Sequence, residues 1–366
     1  MIYFSSPKHK NIKNVDSYLK VIKKVILSGD YILGKNVKSF EKKLKNYFNC
    51  RYAITNNSGT DSLIMSLMCL NLKKNDEVLV PSHTASATLA SLRLMQYNYK
   101  FVDIDYKTMN MDLEDMKKKI NKNTKAIIAV HLYGNPCEIE KIKSICKRKN
   151  FFLIEDCAQA FGANYKGKKV GTFGDFGCFS FFPTKNLSAI GDAGAVITNN
   201  KKFYQNLLKV RQYGWDKSRV SLINGINSRC DEIQASILNL KINSINKDNN
   251  LRNKIATTYN EELKSLPIKL PIVNNDFYHI YHLYVIKVPK LLRDQIINYF
   301  KQHKISLGIH YKKPCHKMKN FFKKNTYLPI TDKVASEVIS LPIYPELKNI
   351  EQIRIIKLLK KFFKKK

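Results

Sequence analysis

A lysine carried to the end of an apolar run is a candidate amine nucleophile, and one such lysine stands out. The segment Phe179-Ser180-Phe181-Phe182-Pro183-Thr184-Lys185-Asn186-Leu187 delivers Lys185 into a short loop that closes with Gly191-Asp192-Ala193-Gly194. At the edge of an apolar pocket a lysine releases its proton more readily and can attack a carbonyl carbon. Most lysines are solvated surface residues, so Lys185 is singled out by its setting and not by its type. Asp156 is a second candidate. Phe151-Phe152-Leu153-Ile154 runs straight into Glu155-Asp156, and a carboxylate at the end of a buried strand is costly unless paired. It could cap a following helix or hold a cationic ligand nitrogen, with Gln159 one turn further on and facing the same side. The third group is Asn56-Asn57-Ser58-Gly59-Thr60-Asp61. Small hydroxyl residues at a helix N-terminus offer free N–H groups and a favourable dipole to a phosphate. Neither a Walker lysine nor Gly-x-Gly-x-x-Gly accompanies it. A fourth segment, Gly225-Ile226-Asn227-Ser228-Arg229-Cys230-Asp231-Glu232, reads as a polar loop and helix cap.

A phosphate cradle, an acid for a ring nitrogen and an aldehyde-reactive lysine are together what pyridoxal 5′-phosphate requires. The lysine forms the Schiff base, and the acid keeps the pyridine nitrogen protonated so that the ring accepts electrons. Glycine placement agrees. Of 14 glycines, those at 162, 167, 171, 174, 177, 191 and 194 fall in one short window that contains the lysine loop. Glycine marks tight turns and close approach of backbone to a ligand.

The elements that must position these groups alternate. Apolar or β-branched runs at 52–55, 77–80, 101–104, 126–130, 152–155, 178–181 and 195–198 predict seven strands. Helix-like segments lie between several of them, at 61–70, 87–95, 111–120 and 138–149. The fold class expected is α/β, a seven-stranded, mostly parallel sheet covered on both faces, with ligands at the carboxyl ends of its strands. After residue 245 long helical stretches dominate, with strands expected at 281–288 and 308–311. The division is a large domain over 1–245 and a smaller α+β domain over 246–366.

Composition bounds the rest. A chain of 366 residues with 44% hydrophobic and 25% charged side chains can bury a core. No apolar run approaches the ~20 residues of a bilayer span. The first ten residues lack the apolar core of a secretory signal, and the eight cysteines form no Cys-x-x-Cys pair. Reduced thiols in a cytoplasm, with no metal site, are the expectation. The formal charge is +35, which draws in polyanions. Lysine is nevertheless spread along the whole chain with no Arg-rich arm, so no nucleic-acid partner is expected. The basic amphipathic stretch 355–363 is read as the closure of a core and not as a membrane surface.

The motifs resemble one family over nearly the whole chain: the nucleotide-sugar aminotransferases of the DegT group, with the fold-type I aminotransferase architecture. Residues 34–41 look like its opening segment and Ser58-Gly59-Thr60 like its phosphate-binding turn. Glu155-Asp156-Cys157-Ala158-Gln159-Ala160 and Ser180-Phe181-Phe182-Pro183-Thr184-Lys185-Asn186-Leu187 are the most specific matches. The resemblance implies that Lys185 is the Schiff-base lysine and the later proton shuttle. It makes Asp156 the partner of the pyridinium nitrogen and sets Gln159 beside the ring, with Gly59, Thr60 and Ser180 on the phosphate. Asn227 matches an asparagine sent into the neighbouring subunit's phosphate site, which implies a homodimer with shared active sites. Many relatives carry a stacking aromatic where this chain has Ala85, leaving His83 as the candidate cover for that cofactor face. A lysine at 185, where some relatives have histidine, argues against sugar dehydration. Segments 130–134, 211–215 and 308–311, with His316, look most like members that use glutamate to aminate C3 of dTDP-linked 3-keto-6-deoxyhexoses. His310 and Tyr311 are then the expected sugar-nucleotide contacts. Amination of a 4-keto sugar is the alternative within the family, and a basic, non-catalytic nucleic-acid-binding or regulatory protein the alternative outside it.

Overall fold

Residues 1–364 are described by a computed structural model. Seven strands form the central sheet: β1 (Tyr52–Asn56), β2 (Glu77–Pro81), β3 (Asn98–Val102), β4 (Thr124–Val130), β5 (Phe152–Asp156), β6 (Phe176–Ser180) and β7 (Gly194–Thr198). Their spatial order is β1-β7-β6-β5-β4-β2-β3. The run from β6 to β3 is parallel throughout, and β7 lies antiparallel to both β1 and β6. Helices cover both faces, so the strands read as near-continuous apolar runs. In the helix Lys35–Phe48, Val37, Phe40, Leu44 and Phe48 form the buried stripe, the spacing of one helical face.

The third strand lies three residues earlier than its apolar run suggests. Tyr99 and Phe101 alternate inward from Asn98. Asp103 then leaves the sheet, because its carboxylate takes the N–H groups of Ile104, Ile330 and Thr331.

Register brings one set of ends together. Asn56 faces Gly194, Gly194 faces Ser180, and Asp156 lies beside Cys178 and Val130. The phosphate turn, the Asp156 segment and the lysine loop therefore leave the same edge of the sheet.

In the C-terminal part, β8 (Tyr284–Lys287) pairs antiparallel with β9 (Val338–Leu341). Both pack with the helices Ile245–Leu263, Lys290–Gln302 and Asn349–Lys364 in one apolar cluster, which Ile2 joins from the chain start. The segment expected as a strand at 308–311 makes a single bridge, Gly308 to Ser340. Beyond it the chain turns His310 and Tyr311 towards the sheet edge. The amphipathic C-terminal stretch buries Ile355, Ile356, Leu358, Leu359 and Phe362, so its apolar face is core. Among the described residues no helix is long and apolar enough to cross a membrane.

Candidate active site

Gly59, Thr60, Asp156, Gln159, Ser180 and Lys185 line one cavity of about 230 Å³ at the sheet edge. The structure thus gathers six of the expected site residues.

The phosphate turn is built by close approach. A Cβ on Gly59 would lie 2.5 Å from the Ser180 Cβ, so only glycine lets this helix start against β6. Ser58 caps the helix Gly59–Leu70 by accepting the Asp61 N–H. The N–H groups of Gly59 and Thr60 belong to the first turn, which no helical carbonyl serves.

Asp156 is buried at the end of β5. Its Oδ2 accepts the Thr88 hydroxyl at 2.8 Å and its Oδ1 the Ala158 N–H at 3.1 Å. Burial pushes the carboxyl up, against Thr88, the Ala158 N–H and the nearby Lys185. Burial also pulls the Lys185 ammonium down to about 8, against the attraction of Asp156. Near neutral pH about a tenth of Lys185 is therefore already free amine, far more than for an ordinary lysine, and it stands opposite an acid. The lysine loop is fixed by its neighbour: Asn186 Nδ2 donates to Asn249 Oδ1 at 2.8 Å and to the Ile280 carbonyl at 3.2 Å.

Gln159 joins the cavity to the C-terminal part. Its Oε1 accepts the Tyr133 N–H at 2.8 Å, and its Nε2 donates to the Tyr311 hydroxyl at 2.8 Å. The Tyr133 hydroxyl donates to the His310 carbonyl, so His83 Nε2, 2.7 Å from that hydroxyl, is the donor to it. Burial holds His83 down to about 3, and burial with Lys185 holds His310 down to about 4. Both rings are neutral at physiological pH. His310 and Tyr311 stand behind Gln159 and outside the cavity wall.

One expectation is not met, and another lies beyond this chain. His83 does not cover the cofactor face, because its ring is fastened to Tyr133 and packs against Tyr311; Thr84 and Ala85 line the cavity there. Asn227 is exposed and away from the cavity. Its neighbour Ser228 instead donates to Asp61 at 2.7 Å and accepts the Asn57 N–H.

Sequence reasoning missed Thr88, Tyr133 and the role of Glu155. Thr84 and Thr88 are four residues apart at a helix start, a spacing that could have flagged a hydroxyl pair. Glu155 is fully buried and accepts the N–H groups of Gly171, Phe173 and Gly174, each at 2.7 Å. Gly171 has φ +92° and packs on the Phe179 ring, so the glycine cluster in part serves this loop. His131, Glu155 and Cys157 also bring three ligand-type atoms within 4.8 Å of one another. Their capacity is already used: His131 Nε2 faces Glu155 at 3.1 Å and its Nδ1 accepts the Cys137 N–H.

Residues 13–360 match the model of the DegT/DnrJ/EryC1/StrS aminotransferase family. The chain belongs to this family. It is 38% identical, over 99% of both chains, to the dTDP-3-amino-3,6-dideoxy-alpha-D-galactopyranose transaminase of Aneurinibacillus thermoaerophilus. Among solved structures, DesV of S. venezuelae in complex with a ketimine intermediate superposes with a TM-score of 0.95. The identity there is 30%, covering 98% of this chain and 97% of that one. The NtdA structure from Bacillus subtilis with bound cofactor PMP gives 0.91, at 29% identity over 96% of this chain and 82% of that one. The fold is that of fold-type I aminotransferases, and the protein is a pyridoxal phosphate-dependent transaminase.

The aminotransferase cavity fits that cofactor on its own chemistry. The free N–H groups of Gly59 and Thr60, with the Thr60 and Ser180 hydroxyls, suit the phosphate. The Asp156 carboxylate suits a protonated ring nitrogen, and Lys185 suits the aldehyde carbon. When bound, the cofactor supplies an electron sink for the carbon that carries the amino group. Asp156 would hold a proton at the ring nitrogen, with Thr88 and the Ala158 N–H favouring its ionised form. Lys185 Nζ, with its lowered proton affinity, would be placed to accept and return a proton there.

Proposed function

We propose that this enzyme takes the amino group of glutamate and delivers it to C3 of a dTDP-linked 3-keto-6-deoxyhexose. It would work in the cytoplasm, as a homodimer with shared active sites, and feed glycan or polysaccharide biosynthesis. The observation that carries the chemistry is the pairing of Lys185 and Asp156 in one cavity. The Aneurinibacillus transaminase, named for a dTDP-3-amino-3,6-dideoxy sugar, supports the position on the sugar and the nucleotide carrier.

In this reading residues 1–245 hold the cofactor and residues 246–366 close over the sugar. Gln159 couples the two by gripping Tyr133 with one end and Tyr311 with the other. His310 and Tyr311 meet the sugar nucleotide, and their neutral rings let them act as hydrogen-bond partners without repelling a positively charged amine. Asn227 serves the partner subunit. Its exposure supports this, as do the exposed apolar side chains Tyr213, Val220 and Leu222 on the preceding loop and Phe182 and Ile190 beside the lysine loop. Eight unpaired cysteines, seven of them buried, suit a reducing compartment.

The test is amination by glutamate of a panel of dTDP- and UDP-linked 3-keto and 4-keto sugars, followed by mass spectrometry. The dTDP-linked 3-keto-6-deoxyhexose should give the amino sugar at the highest kcat/KM. Turnover confined to 4-keto sugars would overturn the assignment of position.

A further inference from the structure

A charged cavity outside the active site lies directly behind the lysine loop. It measures about 480 Å³, and its walls carry Lys10, Lys13, Lys241 and Lys247 with Asp248 and Glu346. Two of these lysines hold the loop that follows Lys185. Lys10, on the short helix Pro7–Ile12, donates to the Asn186 carbonyl. Lys241 ends the helix Glu232–Lys241 and donates to the Ser188 carbonyl at 2.8 Å and to Asn11 Oδ1 at 2.7 Å. Lys241 is only 6% exposed and none of the four lysines has an ion-pair partner among the described residues.

Four ammonium groups against two carboxylates leave a formal +2 in one concave space. Lys13 and Lys247 are exposed at the rim, and Glu346 contributes one further clue. Its Oε2 is buried with no hydrogen-bond partner, an acceptor waiting for a donor. Hydrogen phosphate answers both features at neutral pH. Its dianion, the main form above about pH 7, keeps one O–H to donate, whereas sulfate or a dicarboxylate has the charge but no donor.

We propose that this cavity binds hydrogen phosphate, and that the bound anion keeps Lys10 and Lys241 protonated on the carbonyls of the Lys185 loop. The electrostatics of the cavity give the reason that an anion matters. Burial, with Lys10 as a like charge, brings Lys241 down to about 7, against the pull of Asp248 and Glu346. Burial, with Arg252, brings Lys10 down to about 8. The other groups facing Lys241 are the Tyr18 ring, 5.3 Å from Nζ, and the rim lysines Lys13 and Lys247. A dianion among them favours the charged amines, so binding above pH 7 must take up protons.

Isothermal titration of the cofactor-loaded enzyme with inorganic phosphate at pH 8, in two buffers of different ionisation enthalpy, reads both binding and proton uptake. Saturable binding is expected with uptake of up to about one proton per anion, and weaker binding of sulfate and succinate at equal ionic strength. The Lys13→Glu/Lys247→Glu double variant changes only exposed rim residues and should lose this binding, which separates it from phosphate entering the catalytic cavity. Absence of saturable binding, binding unchanged in the double variant, or binding without proton uptake would each overturn the proposal. Sulfate or succinate binding as tightly as phosphate would overturn the choice of anion.

Discussion

The Thr88 hydroxyl donates to Asp156 Oδ2 at 2.8 Å, and Thr84 Oγ1 lies 3.0 Å from the same Thr88 oxygen. Because the Thr88 hydrogen is committed to the carboxylate, Thr84 must donate to Thr88. The result is a directed chain of hydroxyls ending on a buried acid, and it favours the ionised form that burial opposes.

Thr88→Val removes that donor without changing shape much. Asp156 then loses a group that lowers its proton affinity, so the acid limb of the kcat/KM profile moves to higher pH. A hydrogen bond to a charged group is worth about 1.5–3 kcal/mol, and turnover at neutral pH should fall by roughly tenfold or more. Asp156→Asn, which cannot ionise at all, should lose most turnover while keeping the fold. A Thr88→Val profile identical to wild type would remove the hydroxyl chain from the mechanism.

Glu155 neighbours Asp156 in sequence but does different work. Glu155→Ala would strand three backbone N–H groups, those of buried Gly171 and Phe173 and of half-buried Gly174. A loss of about 4 kcal/mol is expected from such a deletion, seen as a lower urea midpoint at unchanged slope. A loss below ~1 kcal/mol would mean that water replaces the carboxylate in the loop.

These two acids illustrate what a sequence can carry. Lys185, Asp156 and the Ser58-Gly59-Thr60 turn were legible because each sits where an apolar strand gives way to a loop, and parallel strands bring such points to one edge. Thr88, Tyr133 and the Gln159–Tyr311 bond were not, since each partner comes from a distant segment and no local pattern marks it. The glycine cluster was visible, but its link to Glu155 was not, for the same reason. The third strand slipped because apolar continuity through Ile104 outweighed Asp103, whose partners at 330 and 331 are remote. At 308–311 a β-like run forms one bridge only, and its partners, Ser340 for His310 and Gln159 for Tyr311, are remote in sequence.

Asn227 supplies the test of the shared site. Its exposure away from its own cavity is what a residue serving a second subunit requires. Chains carrying Lys185→Ala and Asn227→Ala should each be impaired alone. Mixed together, they should recover part of the activity through hybrid sites that hold both wild-type residues. No recovery, together with a monomer in sedimentation, would exclude the arrangement.

Lys185 is the proposed Schiff-base lysine, and two measurements address it separately. Borohydride treatment of the loaded enzyme should fix the cofactor on one peptide, containing Ser180 to Asn186, and Lys185→Ala should show no such label. Activity of the alanine variant should be lost as well, because no amine remains to move the proton. The second measurement needs no cofactor. In the empty protein burial lowers Lys185 to about 8 from an ordinary 10.5, so between those values the unfolded chain binds more protons than the folded one. Stability then rises with pH across that window, and below it the folded state bears the full cost of a buried ammonium. Lys185→Met should therefore make the empty protein more stable than wild type at pH 7, with the advantage shrinking as pH rises from about 8 towards 10.5. A variant less stable than wild type at pH 7 would mean that Lys185 is held for structure, and a label on another lysine would move the nucleophile elsewhere.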